Sequence, residues 1–245
     1  MSFEVRPVLE AMLALYQKPR DRARFDAYLH LLNGGTKADL AVPVMHFNPM
    51  AKDALVARLR ELLEIDAEKI AAEALQQLNA ETEAPPDEPR FQVVLNLADD
   101  LHGGWTNRYT TDFANTFDLG ALLKRGFCTP ILWASEAYTP ALIRQRTQAQ
   151  AWRTRYCAQH ARPHTVAEYL AQEHFVARHV PEEVSVAPEA RCALRARYVT
   201  VQHATDVATL LTFFYGDVAA EQLGHPVWGN WPANAGFLLA QFGVE

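Results

Sequence analysis

Along most of this chain apolar residues recur every three or four positions, and each such run is fenced by a capping side chain, a glycine or a proline. That pattern restricts the fold to a set of short amphipathic helices. Val5, Val8, Leu9, Met12, Leu13 and Tyr16 make the first run, which Lys18-Pro19 breaks. Phe25, Tyr28, Leu29 and Leu32 make the second, and Gly34-Gly35 ends it as a left-handed cap would. Asn48-Pro49 reads as a helix start ahead of Leu55, Leu59, Leu62 and Leu63, since Asn caps and Pro suits the first helical position. Asp66 stands ready to cap a helix carrying Ile70, Ala74, Leu75 and Leu78. Thr129-Pro130 and Thr139-Pro140 repeat the cap-plus-proline signal, and Thr165 with Glu168 has the spacing of a capping box. Thr205 or Asp206 opens an apolar helix through Val207, Leu210, Leu211, Phe214 and Val218. The stretch from Pro188 to His203 starts like a helix, although Tyr198, Val199, Thr200 and Val201 would suit a strand.

One region changes period. Phe91, Val93, Leu95 and Leu97 alternate with other residues, as do Trp105, Asn107, Tyr109, Thr111 and Phe113. Asp99, Asp100, His102, Gly103 and Gly104 lie between the two runs and are turn formers. The expectation is a short β-hairpin over about 91–113 inside a mainly α, multi-helix globular protein. The competing reading makes Asp112 a helix cap and leaves the first strand alone.

At 245 residues the chain has room for one large domain or two small ones. A single domain over 1–245 is the first expectation. The acidic, proline-containing stretch 80–90 offers a linker between a helical subdomain 1–79 and a second one, 91–245. A net charge of −6 argues against nucleic acid or an anionic membrane as the main partner, because both select a basic face. No apolar run reaches the ~18 residues of a membrane span, and the N-terminus lacks a basic then apolar leader. Cys128, Cys157 and Cys192 form no Cys-x-x-Cys pair and read as reduced thiols of a cytoplasmic protein.

Several chemistries lack their residues. Glycine-rich phosphate loops, a His-Glu-x-x-His zinc pair and a Gly-x-Ser-x-Gly elbow are missing from the sequence, and Ser2, Ser135 and Ser185 are its only serines. His160 and His164 are four apart, but Pro163 between them spoils a helical metal pair, so no metal site is assigned and no cofactor can be named.

The densest polar cluster runs from Asp99 to Tyr109. Asp99, Asp100 and His102 could share or move a proton, or hold a hard cation. Trp105 and Tyr109 offer flat walls, and Asn107 and Arg108 can read a polar group. Glu173 falls at the centre of an apolar helical stripe of Val166, Tyr169, Leu170, Val176, Ala177 and Val180, so burial and a partner are expected for it. Its neighbour His174 is placed with the ligand-binding candidates. From Thr139 to Thr165 the chain has Arg144, Arg146, Arg153, Arg155 and Arg162 and no acid, whereas Glu61 to Glu88 carries nine acids and only Lys69 as a base. The simplest reading sets one against the other, within the chain or across a homo-oligomer.

These residues favour a small-polar-molecule site on segment 99–112, extending to an acid/base or metal-assisted enzyme, with Asp99, Asp100, His102 and Glu173 as the reactive groups. The alternative is a helical interaction or oligomerisation protein without catalysis.

Overall fold

The computed structural model describes residues 1–35, 39–51, 53–81, 89–101, 105–182 and 185–243. Helix makes up 58% of the protein, against a few short strands, so the mainly α, multi-helix expectation holds. By its internal packing the chain divides into two units, Met1–Thr154 and Arg155–Glu245.

The first unit opens with strand β1 (Ser2–Val5) and helices α1 (Leu9–Tyr16), α2 (Arg22–Asn33), α3 (Asp53–Glu64) and α4 (Ala67–Glu81). Strands β2 (Arg90–Val93) and β3 (Asn96–Ala98), helices α5 (Arg108–Phe117) and α6 (Gly120–Leu123), and strands β4 (Phe127–Cys128) and β5 (Ile131–Trp133) follow. Helix α7 (Pro140–Gln159) begins in this unit. All strand pairs are parallel: Phe3 faces Phe91, Val93 faces Cys128 and Leu97 faces Leu132. Val94 N donates to Cys128 O at 3.0 Å and Asn96 N to Pro130 O at 2.9 Å, so 90–98 and 127–133 run side by side as two nearly continuous strands. Parallel neighbours need long crossovers, and α1–α4 and α5–α6 supply them.

The hairpin over 91–113 is therefore corrected. Its first arm is a strand, but a parallel one, buried on both faces: Val94, Leu95, Asn96, Leu97 and Ala98 are all 0% exposed. Its second arm is helix α5. The Asn107 side chain accepts from Thr110 N at 3.1 Å and caps that helix, and Thr111 and Asn115, one turn apart, are both buried. The strand's partner comes instead from the apolar run 131–133. Asn48-Pro49 also departs from expectation. The Asn48 Oδ1 accepts from Met50 N at 3.0 Å in a local turn, and α3 begins at Asp53.

Leu9 and Met12 of α1, Leu55, Leu59 and Leu62 of α3, and Leu95, Leu97 and Leu132 of the strands share one apolar core with Val44 and Phe47. Two polar side chains tie the helices to it. Glu68 accepts from Val8 N and Leu9 N, which satisfies the start of α1. Asn79 of α4 accepts from Phe3 N at 3.0 Å and donates to Phe3 O at 2.9 Å, acting as a one-residue surrogate strand on the free edge of β1.

In the second unit, α8 (Val166–His179), α9 (Pro188–Val201), α10 (Val207–Tyr215), α11 (Asp217–Gln222) and α12 (Ala235–Phe242) pack together, with α12 against α8, α9 and α10. The Thr165–Glu168 capping box forms, and Asp206 caps α10. The stretch 188–201 is helix throughout. A Cβ on Gly236 would lie 2.6 Å from the Phe214 ring and 2.9 Å from the Phe213 ring, so α12 approaches α10 as closely as a bare Cα allows. No helix among the described residues is long and apolar enough to cross a membrane.

The double bond of Asn79 to Phe3 predicts a specific weakness. Asn79→Ala strips both main-chain partners from β1 and is expected to lower unfolding free energy by about 1–3 kcal/mol, read by urea denaturation. Asn79→Asp, which keeps the acceptor and loses the donor, should fall between the two; equal stability of all three proteins would refute the edge role.

Candidate functional site

Parallel strands bring their carboxyl ends to the same side, so the loops leaving β3 and β5 lie next to each other. Asp99 and Asp100 follow β3; Ala134, Ser135 and Glu136 follow β5. The ladder ends at Ala134 N, which donates to Ala98 O at 2.9 Å. Just beyond it the Asp100 carboxylate grips Ser135, accepting from the backbone N at 2.9 Å and from Oγ at 2.6 Å.

Arg108, the first residue of α5, reaches over this junction. Its Nη1 lies 3.2 Å from Asp100 Oδ2 and its Nη2 2.6 Å from Glu136 Oε1, while the guanidinium sits over the Trp133 ring at 5.3 Å. Arg146 of α7 donates to the same Glu136 Oε1 at 2.7 Å and to Ile131 O at 3.3 Å. From α3, Arg58 donates to Ala134 O at 2.7 Å and Glu136 O at 2.8 Å, pairs with Glu61, and lies over the Tyr138 ring. Three arginines from three helices thus converge on one three-residue loop.

Asp112 stands one turn after Arg108 on the same face of α5. Burial pushes its carboxyl up from the ordinary 3.8 to about 6. The charges of Arg146 and Arg108 oppose the rise, Glu136 adds to it, and the Trp133 indole N–H opposes it.

Asp99 has a different task. It is buried, accepts from Asn48 Nδ2 at 3.0 Å and Leu101 N at 3.2 Å through its carboxylate, and receives Thr106 Oγ1 on its carbonyl at 2.6 Å. Tyr16 donates to Asn48 O at 2.5 Å, and burial together with the Asp99 charge pushes its hydroxyl above the usual tyrosine range. Asp99 therefore locks the 41–50 loop to the end of β3. In that loop burial pushes His46 down to about 4, so it adds no charge at neutral pH.

Of the residues expected from sequence, Asp99, Asp100 and Arg108 come together here. Asn107 caps α5, Tyr109 sits half-buried in its first turn, and Trp105 is 39% exposed with Nε1 3.4 Å from Met45 O. His102 lies outside the described residues. Glu173 and His174 belong to the second unit and bond there. Glu173 is 3% exposed, as its place on the apolar stripe of α8 demands, and accepts from Gln172 Nε2 at 3.0 Å; His174 Nδ1 lies 2.6 Å from Ala240 O. Among the described residues no group of three His, Cys, Asp or Glu side chains is placed to hold a metal ion.

Sequence reading did not name Glu136, Arg146 or Arg58 as members of the site, and reached Asp112 only as the end of segment 99–112 and as a competing helix cap. Glu136 carries the one available signal, an acid three residues beyond a buried apolar run. Arg146 was legible as part of a basic helix, but its recorded partner is Glu136 and not the acidic stretch 61–88.

This is a mainly helical protein with a charged cluster at the carboxyl end of a small parallel sheet. Set against known protein families, curated proteins and solved structures, the chain finds no match in any of the three.

The shared oxygen of Glu136 predicts coupled energetics. Glu136→Ala leaves two guanidiniums facing each other without their common acceptor, and stability should fall by roughly 1–3 kcal/mol. A double-mutant cycle with Arg146→Ala is expected to return an interaction energy of roughly 0.5–3 kcal/mol; strict additivity would mean that the bridge contributes nothing.

Proposed function

We propose that the carboxyl end of the parallel strands binds a small polar molecule, and that Asp112 moves a proton to or from it. Arg108 and Arg146 position the ligand and Asp100 holds the Ser135 loop that frames it. Ligands of parallel sheets bind beyond the carboxyl ends of the strands, and that location supports the reading on general grounds. The observation that carries it is the convergence of Arg108, Arg146, Asp100 and Glu136 beyond the carboxyl ends of β3 and β5, one turn of α5 from an Asp112 carboxyl that burial pushes up to about 6. A carboxyl poised there is present in both protonation states close to neutrality, which is what general acid–base chemistry requires. Groups with such raised values gather at functional sites because their burial serves catalysis at the expense of stability.

The sign of the pH dependence is fixed. A carboxyl raised in the fold binds its proton more tightly there than in the unfolded chain. Its contribution favours the folded state fully below the ordinary value of 3.8 and is lost as pH rises through about 6. At about 1.4 kcal/mol per pH unit, the rise from 3.8 to about 6 means that ionised Asp112 costs the fold on the order of 3 kcal/mol at pH 8. Asp112→Asn should raise stability at pH 8 by about that amount, flatten the slope between pH 4 and 6, and abolish turnover once a substrate is in hand. A variant less stable than the parent at pH 8 would sink the proposal, as would an Asp112 carboxyl carbon that titrates below pH 4.5 by NMR.

A second reading, self-association without catalysis, draws support from Val199, Val207, Val218 and Val227 in the second unit, each more than half exposed. It requires a homodimer in sedimentation equilibrium; a monomer at high concentration rules it out.

A further inference from the structure

Among the described residues of the first unit, two large apolar side chains stand well exposed: Leu101 at 41% and Trp105 at 39%. A single apolar side chain in water needs no explanation. These two are not scattered. Both belong to the segment between β3 and α5 that also supplies Asp100 and Arg108, and that segment is tied to Asp99 at each end. Leu101 N donates to the Asp99 carboxylate at 3.2 Å. Thr106 Oγ1, one residue past Trp105, donates to the Asp99 carbonyl at 2.6 Å.

Trp105 is also held from behind. Its Nε1 lies 3.4 Å from Met45 O, and its ring meets the buried Tyr28 ring edge-on with centroids 6.3 Å apart. Tyr28 in turn donates to Val44 O at 3.3 Å. An indole fixed on one side and open on the other gives up little conformational freedom when a ligand covers it. Aromatic groups pair well with such a ring, and Leu101 adds apolar surface beside it.

This apolar surface adjoins the charged cluster. Three peptide units separate Trp105 from Arg108, so their Cα atoms lie no more than about 11 Å apart. Arg108 uses three of its five N–H donors on Asp100, Ser135 and Glu136, and 38% of its side chain is exposed. Donors are therefore left for an oxygen of a ligand. Small-molecule sites combine apolar or aromatic walls with a few polar groups that fix orientation, and both parts occur on this one segment.

Resting on the proposed site, we infer that its ligand is an aromatic molecule with a short oxygen-bearing arm: the ring lies on Trp105 and Leu101, and the arm accepts from Arg108.

The test uses three probe pairs, each differing by a phenyl group: 2-phenylethanol and ethanol, phenylacetamide and acetamide, sodium phenylacetate and sodium acetate. Binding is followed at pH 7 and constant ionic strength through the backbone amides of Leu101, Thr106 and Arg108 in 15N-labelled full-length protein. The expected result is a saturable shift with at least one phenyl probe, tenfold or more tighter than with its partner, and loss of that advantage in Trp105→Ala. Should Trp105→Ala fail to fold, Leu101→Ser must reduce the same advantage at least threefold. Equal affinities within every pair overturn the inference, as does a phenyl advantage that survives Trp105→Ala. No saturable shift with any probe overturns it too, and the site is then judged separately by whether Asp112 titrates near pH 6.

Discussion

One carboxylate oxygen, Glu136 Oε1, receives Arg108 from α5 and Arg146 from α7. Those two helices are joined to the sheet at a point where backbone pairing has just ended. Strand β5 stops at Trp133, and without a side-chain link the residues after it would be an ordinary exposed loop. Arg58 adds the third tie, to the carbonyls of Ala134 and Glu136. A guanidinium suits this duty because its donors are fixed in one plane and its charge does not titrate. The order of the first unit near its charged end thus depends on a few charge-assisted bonds as well as on the apolar packing of Leu132, Ala134 and Tyr138.

That dependence explains the behaviour of Asp112. The arginines are committed to Glu136 and Asp100, so little of their charge is left to hold a third carboxyl in its ionised form. Burial then dominates, and the acid rises to about 6. A chain selected for stability alone would place an amide or an apolar residue here. A carboxyl raised by burial beside two arginines is locally unfavourable, and departures of that kind gather at functional sites.

The helices were readable because their signals are local. Thr165 with Glu168, Asp206, Gly34 and the 3.6-residue stripes act within one or two turns, and they stand where the spacing put them. The strands were readable only as strands. Alternation at Phe91, Val93, Leu95 and Leu97 suggested one wet face, yet Val94 and Asn96 are equally buried, because the intervening small or satisfiable residues are covered by other elements. Asn96 shows how: its amide donates to Pro43 O, a partner 53 positions away that no local pattern announces. Pairing partners are nonlocal in the same sense, so β5 could not be told from a buried turn of helix. The site divided along this line. Asp99, Asp100 and Arg108 were found because they crowd one short segment. Glu136 and Arg146 were not, since only the parallel pairing of β3 with β5 brings their loop to that segment.

The small sheet also accounts for where a site can be in a protein so largely helical. Strands buried on both faces leave their polar groups few exits, and side chains between them must be apolar or fully bonded. Elsewhere in the first unit the start of α1 is closed by the Glu68 carboxylate and the free edge of β1 by the Asn79 amide. At the carboxyl ends of β3 and β5, by contrast, two loops leave the core together and the start of α5 faces them. Charged side chains there can be anchored by the rigid strands behind them and still reach solvent at the rim. Precision and access meet at that end of the sheet, and the cluster of Asp100, Arg108, Asp112, Glu136 and Arg146 occupies it.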